Sequence, residues 1–301
     1  MIPFLPYRPA AVLQVGGDDA AAFLQGQFTN ELRQPTGSVT YGLFLNQKGK
    51  LVADAHVLRL SEKEFLVTSL FSPADIIRRR LEEYIVADDV TVAEETSVTH
   101  GLALWGSGCG RLLIQLVGVT PPAGQFVRNH EMLVFAGHQR KGENYEIIGP
   151  EKEIKVWCER LRELGCRDAD ANQTEFVRIA GGISAVPRDL GPGDLPNEGS
   201  LAAAAISYTK GCYLGQEVMA RLKNLGQVRR RLHVVAGRGN PPLVRAPLYQ
   251  GERKVGEVRS VANQGEEFVA MAMLSLLNLN MDGGLSLAPK TPPVLRIVAH
   301  G

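Results

Sequence analysis

The chain has 301 residues, with 33 Lys and Arg against 32 Asp and Glu and a net charge of +1. Apolar residues make up 45% and charged residues 22%, a balance that excludes long disorder, collagen-like repeats and a disulfide-dense scaffold. Near-neutral charge argues against a general nucleic-acid binder and leaves room for a local basic patch. At this length folding removes about 75% of the unfolded chain's surface from water, so a core forms without cross-links, and two or three domains are expected. Cys109, Cys158, Cys166 and Cys212 show no two-residue gap of a zinc or redox motif. Their low number suits a reducing compartment. The opening MIPFLPYRPAAVLQV is broken by prolines and does not read as a signal peptide. The apolar run Leu201 to Ile206 is far too short to cross a membrane, and no segment approaches the length of a span. A cytoplasmic protein is expected.

In chain order, Val12 to Val15 reads as a strand. Gly16, Gly17 and Asp18 then open a helix with Ala20, Phe23 and Leu24 on one face. Val39 to Asn46 and Leu51 to Leu60 are predicted strands around a Gln47-Lys48-Gly49-Lys50 turn. Phe65 to Leu70 is a further strand. Pro73 to Ala87 is a predicted helix with Ile76, Ile77, Leu81, Tyr84 and Ile85 on its apolar face, and Val90 to Ala93 a strand. A similar order recurs: strand Val98 to Trp105, helix Gly110 to Val117, strands Glu131 to Gly137 and Tyr145 to Ile148, helix Pro150 to Leu164. The pattern predicts two related α+β halves. Gly191 to Gly199 is a turn-rich loop, or else an insertion. From Leu232 the runs LHVVAG, PLYQ, KVGEVRSVA, EFVAMAMLSL and PVLRIVA predict a small β-barrel or sandwich. The expected domains are residues 1–95, 96–231 and 232–301.

Three places carry candidate chemistry. In Lys210-Gly211-Cys212-Tyr213-Leu214-Gly215-Gln216-Glu217, two glycines flank a cysteine, as where backbone must turn tightly or approach something closely. If Gly211 to Tyr213 leads into a helix, that helix N-terminus and Lys210 would favour a thiolate at Cys212. The alternative is a small buried cysteine in a tight turn. Next, Arg221 to Arg231 holds five basic residues and no acidic one, including Arg229, Arg230 and Arg231. Such a run suits phosphate or carboxylate recognition, or is a solvated face. Without interleaved aromatics it is a poor single-strand nucleic-acid platform. Third, Val52, Asp54 and His56 share one face of a strand, where a carboxylate and an imidazole can move a proton or simply face solvent. No P-loop, dinucleotide-binding glycine pattern, nucleophile elbow or metal-ligand histidine spacing is present.

The KGCYLGQE stretch, followed by Arg221 and the Arg229–Arg231 run, resembles the YgfZ family, which is related to the T-protein (aminomethyltransferase) of glycine cleavage. Phe23 to Glu31 is similar to its FLQGQ-TN helix, Tyr41 to Asp54 to its hairpin, Arg178 to Gly182 to the stretch before its variable loop, and Lys254 to Ser260 to an element of its last barrel. The resemblance implies two ferredoxin-like α+β modules and a β-barrel around a central channel for tetrahydrofolate or a derivative. It also implies work in assembling or repairing iron–sulfur enzymes, including those of tRNA modification, with client or assembly proteins as partners and no membrane. On that resemblance Cys212 and Asp54 are the catalytic residues. Lys210, Gly211, Tyr213, Gly215, Gln216, Glu217, Arg221, Arg229, Arg230 and Arg231 form the motif and folate site, with Arg230 meeting a folate carboxylate and no metal bound.

Two departures from T-proteins stand out. Their adjacent acidic pair is Ala53 and Asp54 here, and the glutamate that holds the pterin is Ala180. T-proteins also lack the KGCY cysteine. Glycine cleavage is therefore disfavoured. A folate-dependent one-carbon transferase or demethylase, and a non-catalytic protein- or tRNA-binding scaffold, stay open as alternatives.

Overall fold

A computed structural model of the chain describes every residue except 139–141, 227 and 299–301. It holds three sheets in a mixed α/β fold and divides into two compact units. One unit is Met1–Ala169 with Ala204–Gln216; the other is Asp170–Ala203 with Glu217–Gly301.

The first unit opens with β1 (Pro3–Tyr7), β2 (Ala11–Gly16), α1 (Ala20–Gln27), β3 (Val39–Leu45), β4 (Leu51–Arg59), β5 (Glu64–Ser69), α2 (Ala74–Glu82) and β6 (Thr91–Glu94). It continues with β7 (Thr99–Trp105), α3 (Cys109–Val117), β8 (Phe126–Asn129), β9 (Met132–Ala136), β10 (Asn144–Pro150), α4 (Glu151–Glu163) and β11 (Arg167–Asp168). The first sheet runs β3-β4-β5-β2-β6 and the second β11-β1-β7-β10-β9-β8. Each has a strand, a helix, three strands, a helix and a last strand. In each, the third of the three strands returns beside the first.

Strand alternation explains the layers. On β4 and its neighbours Ala53, Ala55, Val57, Phe44 and Val67 face Phe23 and Leu24 of α1 and Ile77 and Leu81 of α2. On the opposite face Val12, Leu58 and Leu66 pack against Leu133, Phe135 and Ile148 of the second sheet. The two sheets therefore meet face to face. The second helical layer is sealed by Leu102, Met132, Val134, Trp157 and Leu161.

Helix α2 stops at Glu82, short of the predicted Ala87, but Tyr84 and Ile85 still pack on its core. Three short strands escape the sequence pattern. β1 (PFLPY) carries prolines, which read as strand breakers, yet pairs with β7 on one side and β11 on the other. β8 and β11 are too short to show a period.

The second unit contains α5 (Ala171–Ala180) and a 3-10 turn at Pro196–Gly199. The short α6 (Ala202–Ala205) and α7 (Gln216–Leu225) follow. Then come β12 (Arg230–Arg238), β13 (Pro247–Gln250), β14 (Arg253–Gln264), β15 (Glu267–Ser275) and β16 (Leu295–Ile297). Helix α5, not expected from the sequence, is capped by the Asp170 side chain, which accepts from Gln173 N at 2.6 Å. The sheet runs β13-β14-β15-β12-β16. Register shifts at Leu248/Tyr249 and Val258/Ser260 curl it. Its edge strands are joined through Ser286, bridged to Tyr249, and Leu285, bridged to Leu295. Of the predicted run PVLRIVA, the last residue lies outside the described residues, as does Gln227 within the basic run.

Candidate functional site

The KGCYLGQE segment is fastened to the first unit at three points. The Lys210 ammonium donates to Gln25 O at 2.8 Å, Phe28 O at 2.7 Å and Asn30 O at 2.8 Å. Gln25 lies in the last turn of α1, whose carbonyls lack intrahelical donors and carry the negative end of the helix dipole. Burial pulls Lys210 down to about 8, so it is still a cation at neutral pH. Its three N–H groups are committed to carbonyls rather than offered to the thiol. The second point is Leu214 N, which donates to Gly26 O at 3.1 Å. The third is Gly215, with φ +87°, where a Cβ would stand 2.9 Å from Asn46 O. Only glycine combines that φ with that approach. Beneath the loop Tyr213 is buried, its ring centroid 5.4 Å from the Lys210 nitrogen. Burial pushes its hydroxyl up to about 12.

The pinned loop leaves Gly211 and Cys212 exposed. Cys109 and Cys158 are buried and Cys166 is intermediate, so Cys212 is the exposed thiol of the four. The buried-cysteine alternative is thereby overturned. Helix α7 begins only at Gln216, so Cys212 lies in the loop ahead of it. Glu217 and Arg221 pair with each other at 2.9 Å on the exposed face of α7, an arrangement with little energetic weight.

Arg230, in the second unit, donates to Glu198 at 2.8 Å and to Asp194 at 2.7 Å. The same Asp194 accepts from Arg259 at 2.9 Å. The Nε–Nη2 edge of the guanidinium that the resemblance assigns to a folate carboxylate is thus engaged by two carboxylates of the chain itself. Arg229 and Arg231 are exposed.

Asp54 sits in the first unit, not on an open strand face. Its carboxylate accepts from Ser72 Oγ at 2.7 Å, Ser69 Oγ at 3.0 Å and Tyr41 Oη at 3.1 Å. Burial raises its pKa, against the lowering effect of those three hydroxyls. Tyr41 is held well above its ordinary value, by burial first and then by the Asp54 charge. His56 Nε2 lies 3.2 Å from His138 Nδ1. The Tyr41 and His138 ring centroids are 3.6 Å apart. Burial lowers His56 to about 4 and takes His138 well below its usual range. Both imidazoles are neutral at pH 7, one donating to the other. Tyr7 Oη donates to Glu146 at 2.7 Å on the same wall. His138 and Glu146 come from the second sheet, whose arrival opposite His56 no spacing in the sequence announces.

The free space at Asp54 is about 20 Å³, room for about one water. A pterin ring does not fit against Asp54 here, and the Nε–Nη2 edge of Arg230 is engaged by Glu198 and Asp194. Among the described residues no group of three His, Cys, Asp or Glu side chains could hold a metal.

Comparison with known proteins agrees with this architecture. The GCVT N-terminal domain model matches residues 9–206. The "tRNA-modifying protein YgfZ" of Edwardsiella ictaluri is 30% identical over 232 residues, covering 75% of this chain and 68% of that protein. The human "Iron-sulfur cluster assembly factor IBA57, mitochondrial" is 28% identical over 248 residues and 74% of this chain. The match spans 63% of the human protein's length. The glycine cleavage aminomethyltransferase T of Bartonella henselae superposes with a TM-score of 0.79 over 94% of this chain and 81% of that chain, at 17% identity, a likeness of fold. With the GCVT domain over most of its length and a YgfZ protein matched along three quarters of it, the chain belongs to the YgfZ family, which is related to the aminomethyltransferase superfamily.

Proposed function

We propose that this protein is an accessory factor in the assembly or repair of iron–sulfur enzymes, including enzymes of tRNA modification, and that Cys212 is its working group. The observation that carries the reading is the exposed thiol on a loop fixed by the Lys210 ammonium, Leu214 N and Gly215. A residue that only fills space would be buried. Here the support is buried and the thiol is presented. The names of the relatives supply the process. A lone cysteine cannot hold a [4Fe–4S] cluster, which takes four thiolates, so any ligand role of Cys212 is shared with a client or assembly protein. The other motif residues, Gly211, Tyr213, Gln216 and Glu217, belong to the same proposal as parts of the presenting loop.

Tetrahydrofolate or a derivative is the ligand class that family membership implies, and the two α+β modules are of the ferredoxin-like type. The strand order supports that type: both sheets return the third strand of the trio beside the first. A cytoplasmic location suits the free thiol, and no helix among the described residues is long and apolar enough to cross a membrane.

The test is replacement of the chromosomal gene by Cys212→Ser, reading the activity of an iron–sulfur enzyme and the level of an iron–sulfur-dependent tRNA modification. Both should fall to the deletion level. Full activity would make the protein a scaffold. Anaerobic calorimetry with tetrahydrofolate addresses the ligand: micromolar binding would require Tyr41 and His138 to move or the folate to sit elsewhere.

A further inference from the structure

Away from Asp54, the first unit carries a cleft of about 530 Å³ between the β3–β4 turn and α2. Its size is that of a small-ligand site. Val52, Ile76 and Tyr84 form an apolar floor, and Lys48, Arg79 and Arg80 border it. Arg80 is the unusual member. It is 5% exposed, yet its guanidinium has no carboxylate partner. Nε and Nη2 donate to Leu45 O at 3.2 Å each, and Nη1 to Gln27 Oε1 at 2.9 Å. Leu45 O is available because the β3–β4 register shifts between Phe44 and Leu45. The Tyr84 ring lies against the guanidinium, 4.2 Å from its carbon. Five N–H groups minus these three leave one on each terminal nitrogen. Burial draws the Arg80 pKa down, against the opposing effect of Tyr84 and Glu83.

Lys48 stands across the cleft with no carboxylate partner either. Asn46 Oδ1 fixes the turn that offers it, accepting from Lys48 N at 2.9 Å and Lys50 N at 3.0 Å. Arg79 is answered by Asp75, and Glu83 on the rim is exposed and ion-paired to neither cation. The cleft thus holds two cations with no ion-paired carboxylate, one of them buried, over an apolar floor.

We propose that this cleft binds the oxyanion of a small organic ligand, a phosphate or a carboxylate, between Arg80 and Lys48, with the ligand's apolar body on Val52, Ile76 and Tyr84. The site is separate from Asp54 and does not depend on the role of Cys212. The turn that carries Lys48 is also the surface on which Gly215 packs, so the ligand would lie on the same support as the thiol loop.

Calorimetry on the full chain at low salt tests this, with inorganic pyrophosphate in one arm and glutarate in the other. One of them should bind with a Kd below about 1 mM, which also identifies the source of the anion. Lys48 is exposed, so Lys48→Glu will fold, and it should weaken binding at least about tenfold. Arg80→Lys keeps a charge but not the fork and should weaken it as well. If Arg80→Lys fails to fold, Lys48→Glu decides alone. Absence of binding by both anions up to about 10 mM, or equal affinity in wild type and Lys48→Glu, would overturn the proposal.

Discussion

The Cys212 loop and the Asp54 pocket are opposite solutions within one unit. At the loop the ionisable support is buried and the reactive group is outside. Lys210, Tyr213 and Gly215 give up their freedom so that Cys212 keeps its own. At Asp54 the reactive group is the buried one, and every neighbour is turned inward to satisfy it. A carboxylate already held by three hydroxyls is poorly placed to take a substrate proton. A thiol with no partner is well placed to meet another molecule. The contrast is one of exposure: the loop offers its thiol to other molecules, and the pocket encloses its carboxylate.

Lys210→Met tests the loop most severely. It leaves three carbonyls without a donor, and it should destabilise the first unit by about 3 kcal/mol. Urea unfolding measures the loss; a change within error would mean that the carbonyls find water and that Lys210 is not the clamp. Gly215→Val comes next. Its Cβ would press on Asn46 O at a φ that L-residues avoid, with an expected loss of about 2 kcal/mol. Iodoacetamide labelling of Cys212 should also change in rate, and an unchanged rate would show that the thiol's position does not depend on this contact.

The smallest effect belongs to the pocket and is read with pH. An unfolded histidine takes up its proton below about pH 6.5, whereas His56 in the fold waits until about 4. Between these values the unfolded chain binds more protons, so stability falls as pH drops through that window and is level above it. By pH 5.5 the loss from His56 is about 1 kcal/mol. His56→Gln should lose correspondingly less than wild type between pH 7.5 and 5.5. Equal losses would show that His56 is open to solvent.

Much of this was legible in the residues. The 2-residue alternation of Leu51 to Val57 announced β4 and its buried face, and the apolar spacing of Ile154, Val156, Trp157 and Leu161 announced α4, although Val156 turns out exposed. The motif around Cys212 was visible because glycines and a cysteine in eight residues are unusual. Its construction was not, because Lys210 bonds to residues about 180 positions earlier. His138 was passed over for the same reason: its partner His56 sits on another sheet. Arg230 read as a free cation because Asp194 and Glu198, which neutralise it, lie in a loop that looked like mere punctuation.

Strand β1 carries a consequence for how the chain is made. Residues 3–7 precede the entire first sheet, yet their partners are Gly101 to Leu104 and Arg167 to Asp168. On a ribosome the segment must wait, unpaired, while β2 to β6 emerge and close beside it. It can dock only once β7 has been synthesised, and it is covered only when β11 arrives. Phe4, fully buried at the end, is exposed throughout that interval. The prolines that hid β1 from a sequence reading have a use in this light, because a strand that cannot offer a full row of donors is a poor template for wrong partners while it waits.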